Sequence, residues 1–370
     1  MFEIPFLKPK LVVKEDYMGY LKQIDDSRSY TNYGALNTWF EQRLIHELFE
    51  GQGSAVTVNN ATTGLILAIT QIKRPGKYAL MPSFTFAATP LAAMWCGLEP
   101  YFIDVCEKDW CMNEELLEKE ITRLGDEVAA VIPYAAFGTN LDISYYQALQ
   151  DRGIPVVIDA AASVGSRLTT HFGQGFTGAV VFSFHATKGF GIGEGGLIYS
   201  SDKEMINRIR QASNFGFSEE RESKQMGING KLSEYAAAIG LATLDVFELK
   251  KQKREQVFEW YMEGLEHLGL LEQGWRLQEV RGSVAYSFLS MLCPEQLTNS
   301  YFVQKLAAQG VQTRTYFAPS CHEQTLFKSY NRTSLHVTEQ ICRRIINLPL
   351  WEDMNQGHVQ KIVRGLIYEG

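Results

Sequence analysis

Little in this chain of 370 residues points to a disulfide framework, a membrane or a nucleic acid. Its six cysteines, at 96, 106, 111, 293, 321 and 342, form no CxxC pair and are too few to staple a chain this long, which fits a reducing, cytoplasmic compartment. No apolar run is long enough to cross a bilayer: the most apolar stretch, Phe84 to Leu98, is broken by Pro90, and MFEIPFLKPK at the N-terminus has no apolar core before a cleavage site. Basic blocks are missing too. Lys and Arg number 35 against 42 Asp and Glu, a net charge of −7, so nucleic acid and anionic membranes have no electrostatic support as partners, although local patches still allow an anionic small substrate. GxxxxGK[ST] and HExxH are absent, and the histidines at 46, 171, 185, 267, 322, 336 and 358 show no metal-ligand spacing, so no metal is expected.

What remains is an ordinary globular composition, 45% hydrophobic and 21% charged, with length for two domains. From about residue 54 to 200, the apolar runs SAVTV, KYALM, PYFIDV, VAAVIPY, IPVVIDA, AVVFSF and GLIYS alternate with amphipathic or polar segments. That rhythm predicts an α/β fold with a largely parallel sheet. Leu232 to Lys250 reads as a long Ala-rich helix continuing through a charged amphipathic stretch to Leu268, a bridge out of the first domain. SVAYSFLSML, TRTYF and a final helix near Met354 to Tyr368 then suggest a smaller α+β domain. The expected division is 1–250 and 251–370, with the segment 1–30 packing on the smaller domain.

Ligands of open α/β sheets sit at the carboxyl ends of the strands, so polar residues just past each run carry the most information. Thr62 and Thr63 precede GLILAITQI and fall in the first turn of a helix, where free N–H groups favour an anion such as phosphate; simple N-capping by threonine is the alternative. Asp159 ends a strand apolar enough to be central. Its carboxylate either caps the next helix or holds a protonated pyridine nitrogen, the arrangement that makes pyridoxal phosphate an electron sink. Lys188 lies in SFHATKGFGIGEGG, among Gly189, Gly191, Gly193, Gly195 and Gly196. It is either a plain loop lysine or one that reaches a cofactor, where desolvation lowers its pKa and favours Schiff-base chemistry. The formal GxGxxG at Gly191, Gly193 and Gly196 is not a dinucleotide site, because its third glycine opens a strand instead of a helix. His185 reads as packed beside the loop.

Taken in order, TNYGALNTWFEQRL (31–44), VNNATTGLILAI (58–69), MPSFTFAATPLAAMWCGLEPYFIDV (81–105), IDAAASVGS (158–166), SFHATKGFGIGEGG (183–196), NFG (214–216), GINGKLSEYAAAIGL (227–241) and TRTYFAPSCH (313–322) cover nearly the whole chain. This set resembles the pyridoxal-phosphate sugar aminotransferases of the DegT/DnrJ/EryC1/StrS group. The resemblance implies fold type I: a large domain with a mostly parallel central sheet flanked by helices, and a smaller α+β C-terminal domain. It implies Lys188 as the lysine that forms the internal aldimine with pyridoxal 5'-phosphate and Asp159 as the partner of the ring nitrogen. Phe86 falls where the family stacks an aromatic ring on the cofactor, and Thr62, Thr63 and Ser183 at phosphate-binding positions. Asn229 matches an asparagine that reaches the phosphate of the neighbouring subunit, which implies a homodimer with shared sites; read from residues alone, it is an intrachain turn. Tyr316 and His322 fall in a segment bordering the substrate pocket. Ala162, Ala61 and Lys231 depart from the family's frequent Gln or His, Gly and Arg.

The activity so implied is transfer of an amino group, with L-glutamate as the expected donor and pyridoxamine phosphate as the intermediate form, to a nucleotide-linked 3- or 4-keto-6-deoxyhexose. The product is an amino sugar for surface polysaccharide or glycoconjugate. Dehydration or elimination on a sugar or cyclitol, and a non-catalytic sensor, are the other readings; the dehydrating branch of the family has His where this chain has Lys188.

Overall fold

The structure, a computed structural model, describes residues 2–368, so Met1 of the expected N-terminal segment and residues 369–370 of the expected C-terminal domain lie outside it. Along the chain come strands β1 Ser54–Val58, β2 Tyr78–Pro82, β3 Glu99–Ile103, β4 Val128–Val131, β5 Val157–Asp159, β6 Ala179–Ser183 and β7 Gly196–Ser200. They form a three-stranded sheet, β3-β2-β4, and a four-stranded sheet, β5-β6-β7-β1. Isolated bridges Val131–Val156 and Tyr134–Asp159 join the two edge to edge. Pairing is parallel across β3, β2 and β4 and between β5 and β6, whereas β7 runs antiparallel to both β6 and β1. The reversal has a simple cause. The loop between β6 and β7 contains no crossover helix, and parallel neighbours need one.

Strands β2, β6 and β7 are buried at every position, which requires cover on both faces. Alternate residues supply the two cores. Ile158, Val180 and Phe182 join Phe40, Leu44 and Leu241 on one side. Val157, Ala179 and Val181 join Leu65, Ala68 and Ile209 on the other. Two runs form less strand than their composition predicts. IPVVIDA gives a ladder only over Val157–Asp159, and TRTYF gives only the bridge Arg314–Asn347.

A second, antiparallel sheet follows in the order β10-β9-β8, with β8 Arg276–Leu277, β9 Leu289–Leu292 and β10 Ile345–Leu348. Its core gathers Trp275, Met291, Phe302, Ile346 and Ile362. The helix Glu234–His267 runs through both halves: Ala237 and Leu241 lie in the first core, Val257, Tyr261 and Leu265 in that of the second sheet. Residue 250 thus falls inside a continuous helix. Near the N-terminus, the Ile4 N–H donates to the Gly310 carbonyl at 3.0 Å and the Gln312 N–H to that of Ile4 at 2.9 Å, which lays Ile4 on the second sheet's half, whereas Ile24, in the helix Lys14–Ser27 of the same expected segment, packs in the first core. Among the described residues no helix is long and apolar enough to cross a membrane.

Candidate active site

The helix Ala61–Ile72 begins at the end of β1, and its first turn lines a cleft of about 670 Å³ at the carboxyl ends of β1, β5 and β6. Asn60 is its N-cap, with Oδ1 accepting from the Thr63 N–H at 2.8 Å. This corrects the reading in which a threonine caps: Asn60 does so, and the Thr62 and Thr63 side chains are left to the cleft wall. Neither the Ala61 nor the Thr62 N–H has a protein acceptor among the described residues. Two free donors at a helix N-terminus, with hydroxyls beside them and Ser183 on the same wall, make a site for an anion.

No helix follows β5, so Asp159 caps nothing. It is buried, its Oδ1 accepting from the Ala161 N–H at 3.1 Å and its Oδ2 from the Thr89 hydroxyl at 2.6 Å. Burial pushes its pKa above the usual carboxylate range, against the opposing pull of the Thr89 and Ala161 donors and of Lys188. Lys188 lines the cleft; its backbone N–H donates to the His185 carbonyl at 2.9 Å, while its side-chain amine makes no hydrogen bond among the described residues. Burial pulls its pKa below the ordinary lysine value, and the nearby Asp159 carboxylate opposes this. An acid and a base shifted in opposite directions thus face one cavity, the kind of pairing that active sites build.

Phe86 is 60% exposed at the cleft, with its ring 6.3 Å from that of Phe317. Tyr316 is also on the wall, and Leu7, from the N-terminal segment, completes it. His185 is tied locally, Nδ1 to the Thr187 hydroxyl at 2.8 Å, with Nε2 3.7 Å from Glu194. The cleft therefore gathers Thr62, Thr63, Phe86, Asp159, Ser183, Lys188 and Tyr316.

Two expected site residues are not on its wall. His322 is buried behind it, Nδ1 2.7 Å from the Ser83 hydroxyl and Nε2 3.4 Å from Glu339. The cause is the Cys321 N–H, which donates to the Ser83 carbonyl at 3.1 Å and draws the turn under the loop that follows β2. Asn229 pairs with Asn214 in the loop before the long helix, its Oδ1 accepting from Lys231 Nζ at 2.8 Å. Residues that the sequence reading missed are Asn60, whose spacing to Thr63 is an N-cap signal, and Thr89 and Leu7, for which no sequence signal exists.

Pyridoxal phosphate fits this donor set. An anion site lies at the helix N-terminus, a buried carboxylate can meet a protonated ring nitrogen, an unpartnered lysine can meet a carbonyl, and an aromatic ring stands at the mouth. Among the described residues no group of three or more His, Cys, Asp or Glu side chains is placed to hold a metal ion.

Comparison with known proteins agrees with this chemistry. A putative PLP-dependent aminotransferase from Bacillus cereus is 49% identical and superposes with a TM-score of 0.97, covering 98% of this chain and 99% of its own. DesI, solved in the presence of its TDP-sugar product, is 29% identical with a TM-score of 0.88, covering 99% and 93%. The dTDP-4-amino-4,6-dideoxy-D-glucose transaminase of Escherichia coli is 26% identical over 98% of each chain. Residues 12–367 match the model of one family, and with the lysine, the carboxylate and the anion site in a single cleft this chain belongs to it: the DegT/DnrJ/EryC1/StrS aminotransferase family, pyridoxal-phosphate enzymes of fold type I.

Proposed function

We propose that the chain transfers the amino group of L-glutamate to a nucleotide-linked 3- or 4-keto-6-deoxyhexose, in the cytoplasm, as a homodimer with shared active sites. The observation that carries this reading is the convergence of Lys188, Asp159 and the anion site of Thr62, Thr63 and Ser183 on one cleft. Support for a nucleotide sugar comes from DesI, solved in the presence of its TDP-sugar product, and from the E. coli transaminase, whose name specifies a dTDP-sugar. Part of the same reading is a division near residue 250 into a cofactor-binding unit and a smaller C-terminal unit, supported by their separate apolar cores.

When bound, pyridoxal phosphate supplies the electron sink that lets an amino group move from donor to acceptor. Thr62, Thr63 and Ser183 would hold its phosphate, and Phe86 would pack against its ring. Asp159 would accept from the ring nitrogen and favour its protonated form. Lys188, with a lowered pKa, has a free amine at neutral pH more often than a surface lysine does; with the cofactor bound, its Nζ would carry a proton between the substrate carbon and the cofactor, in one direction for the donor and in the other for the acceptor. Apolar side chains of Phe288 and Phe317 exclude water around these groups.

Incubation of the cofactor-loaded protein with L-glutamate and dTDP-4-keto-6-deoxyglucose tests the reading. An amino sugar formed with stoichiometric 2-oxoglutarate is the expected result. A deoxygenated sugar would instead establish dehydration, and no product from 3- or 4-keto sugars would overturn the sugar reading.

A further inference from the structure

We propose that Thr89, backed by Thr85, is a positioning residue for the cofactor: its hydroxyl holds the Asp159 carboxylate ionised and turned so that the acceptor sites left over meet the ring nitrogen. The inference rests on the reading of Asp159 as the ring-nitrogen partner and does not depend on which substrate the enzyme takes.

The Thr89 hydroxyl lies 2.6 Å from Asp159 Oδ2, and the Thr85 hydroxyl lies 2.8 Å from that of Thr89. Both threonines are buried, Thr89 at 0% and Thr85 at 1% exposure, so no water competes for these bonds. Proton accounting gives the chain a direction. An ionised carboxylate only accepts and a hydroxyl has one proton, so Thr89 donates to Asp159 and accepts from Thr85. The Ala161 N–H occupies Oδ1 from another side. A carboxylate with one donor on each oxygen is fixed in rotation, and its remaining lone pairs are directed by the frame, not by the ligand.

The frame itself is tied down. Thr89 sits in the first turn of the helix Ala88–Trp95, and the Thr85 carbonyl accepts from Cys321 Sγ at 3.3 Å. Titratable groups facing Asp159 are Lys188 and Tyr134, and burial holds the Tyr134 phenol far above its ordinary pKa, so it stays neutral. Among the described residues Lys188 is then the one charged neighbour, and it is the group that the cofactor would engage. Of the influences that oppose the burial of Asp159, the Thr89 hydrogen bond is the largest. Without it the carboxyl keeps a proton to higher pH and becomes a poorer acceptor.

The test compares two ligands in the dimer-competent full chain: pyridoxamine 5'-phosphate and its 1-deaza analogue, in which C–H replaces the ring nitrogen. Dissociation constants are measured by fluorescence quenching, alongside thermal melts, for the wild type, Thr89→Val, Thr89→Ser and Thr85→Val. Expected is a wild-type preference for the nitrogen-containing ligand that falls roughly tenfold in Thr89→Val, as for a hydrogen bond to a charged group. Thr89→Ser restores the preference, and Thr85→Val, which leaves the Thr89 proton in place, reduces it less. An equal loss of affinity for both ligands in Thr89→Val, or an unchanged preference, overturns the proposal. A wild type that does not distinguish the ligands overturns it at its premise, the Asp159 contact.

Discussion

A Cβ on Gly196 would lie 3.0 Å from the backbone nitrogen of Ala61. The first residue of β7 and the first residue of the helix Ala61–Ile72 therefore approach backbone to backbone, and the loop bearing Lys188 ends against that helix's N-terminus. The Phe182 carbonyl, 2.9 Å from the same point, closes the other side. Gly196→Ala is expected to push the helix N-terminus outward, destabilising the fold by about 1–3 kcal/mol as overpacking does. Phosphate-bearing ligands should weaken more than the melt alone explains; equilibrium dialysis with pyridoxamine phosphate, beside calorimetric melts, measures both.

The opposed shifts of Asp159 and Lys188 give a pH signature to the cofactor-free protein. Because the folded-state pKa of Asp159 is raised, the folded chain keeps a proton that the unfolded chain has lost between the ordinary aspartate value and the raised one. Stability contributed at this site is present below that window and falls as pH rises through it. Asp159→Asn removes the titration, so the variant should lose less stability than the wild type as pH rises through the window. With cofactor bound, the same variant should lose about 100-fold or more in turnover, the scale seen when one preorganised electrostatic partner is removed. Retained turnover would count against the ring-nitrogen role.

The proposed shared site of a homodimer makes Asn229 the residue to test. Its Oδ1 is taken by Lys231, which leaves its amide N–H groups to donate outward. In a two-fold assembly each subunit gives and receives the same contact. Lys188→Ala alone should be colourless and inactive, and Asn229→Leu should bind cofactor weakly. Mixed under subunit exchange, the two should regain activity through one intact site that combines Lys188 of one chain with Asn229 of the other. No recovery, with exchange demonstrated by mass spectrometry, would confine Asn229 to its turn.

The α/β frame is legible because buried parallel strands must be apolar throughout, and the ligand edge is legible because such sheets bind at the carboxyl ends of their strands. Lys188, Asp159, Thr62, Thr63 and Ser183 all stand just at or past such ends, so position in sequence suffices to bring them to one cavity. His322 fails for the opposite reason. It belongs to a short turn outside the sheet, and a tertiary bond from Cys321 to Ser83, residues far apart in sequence, sets which way the turn faces. Thr89 is invisible in the same sense, since nothing in a helix beginning at Ala88 announces that one hydroxyl meets the end of β5. TRTYF has the composition of a strand, and only its surroundings leave it with a single bridge.

The cleft holds a carboxyl and an amine that burial penalises, and nothing else among the described residues relieves Lys188. A ligand that meets both groups thereby acts as a folding ligand. At a free concentration 100 times its dissociation constant it adds about 2.7 kcal/mol to stability. Cofactor supply is then expected to set how much of the protein survives as well as how fast it works, because the empty form, lacking this stabilisation, would open to proteases more often. Abundance and activity would fall together, and a growth medium lacking a source of the cofactor should shorten the protein's half-life before any change in its synthesis.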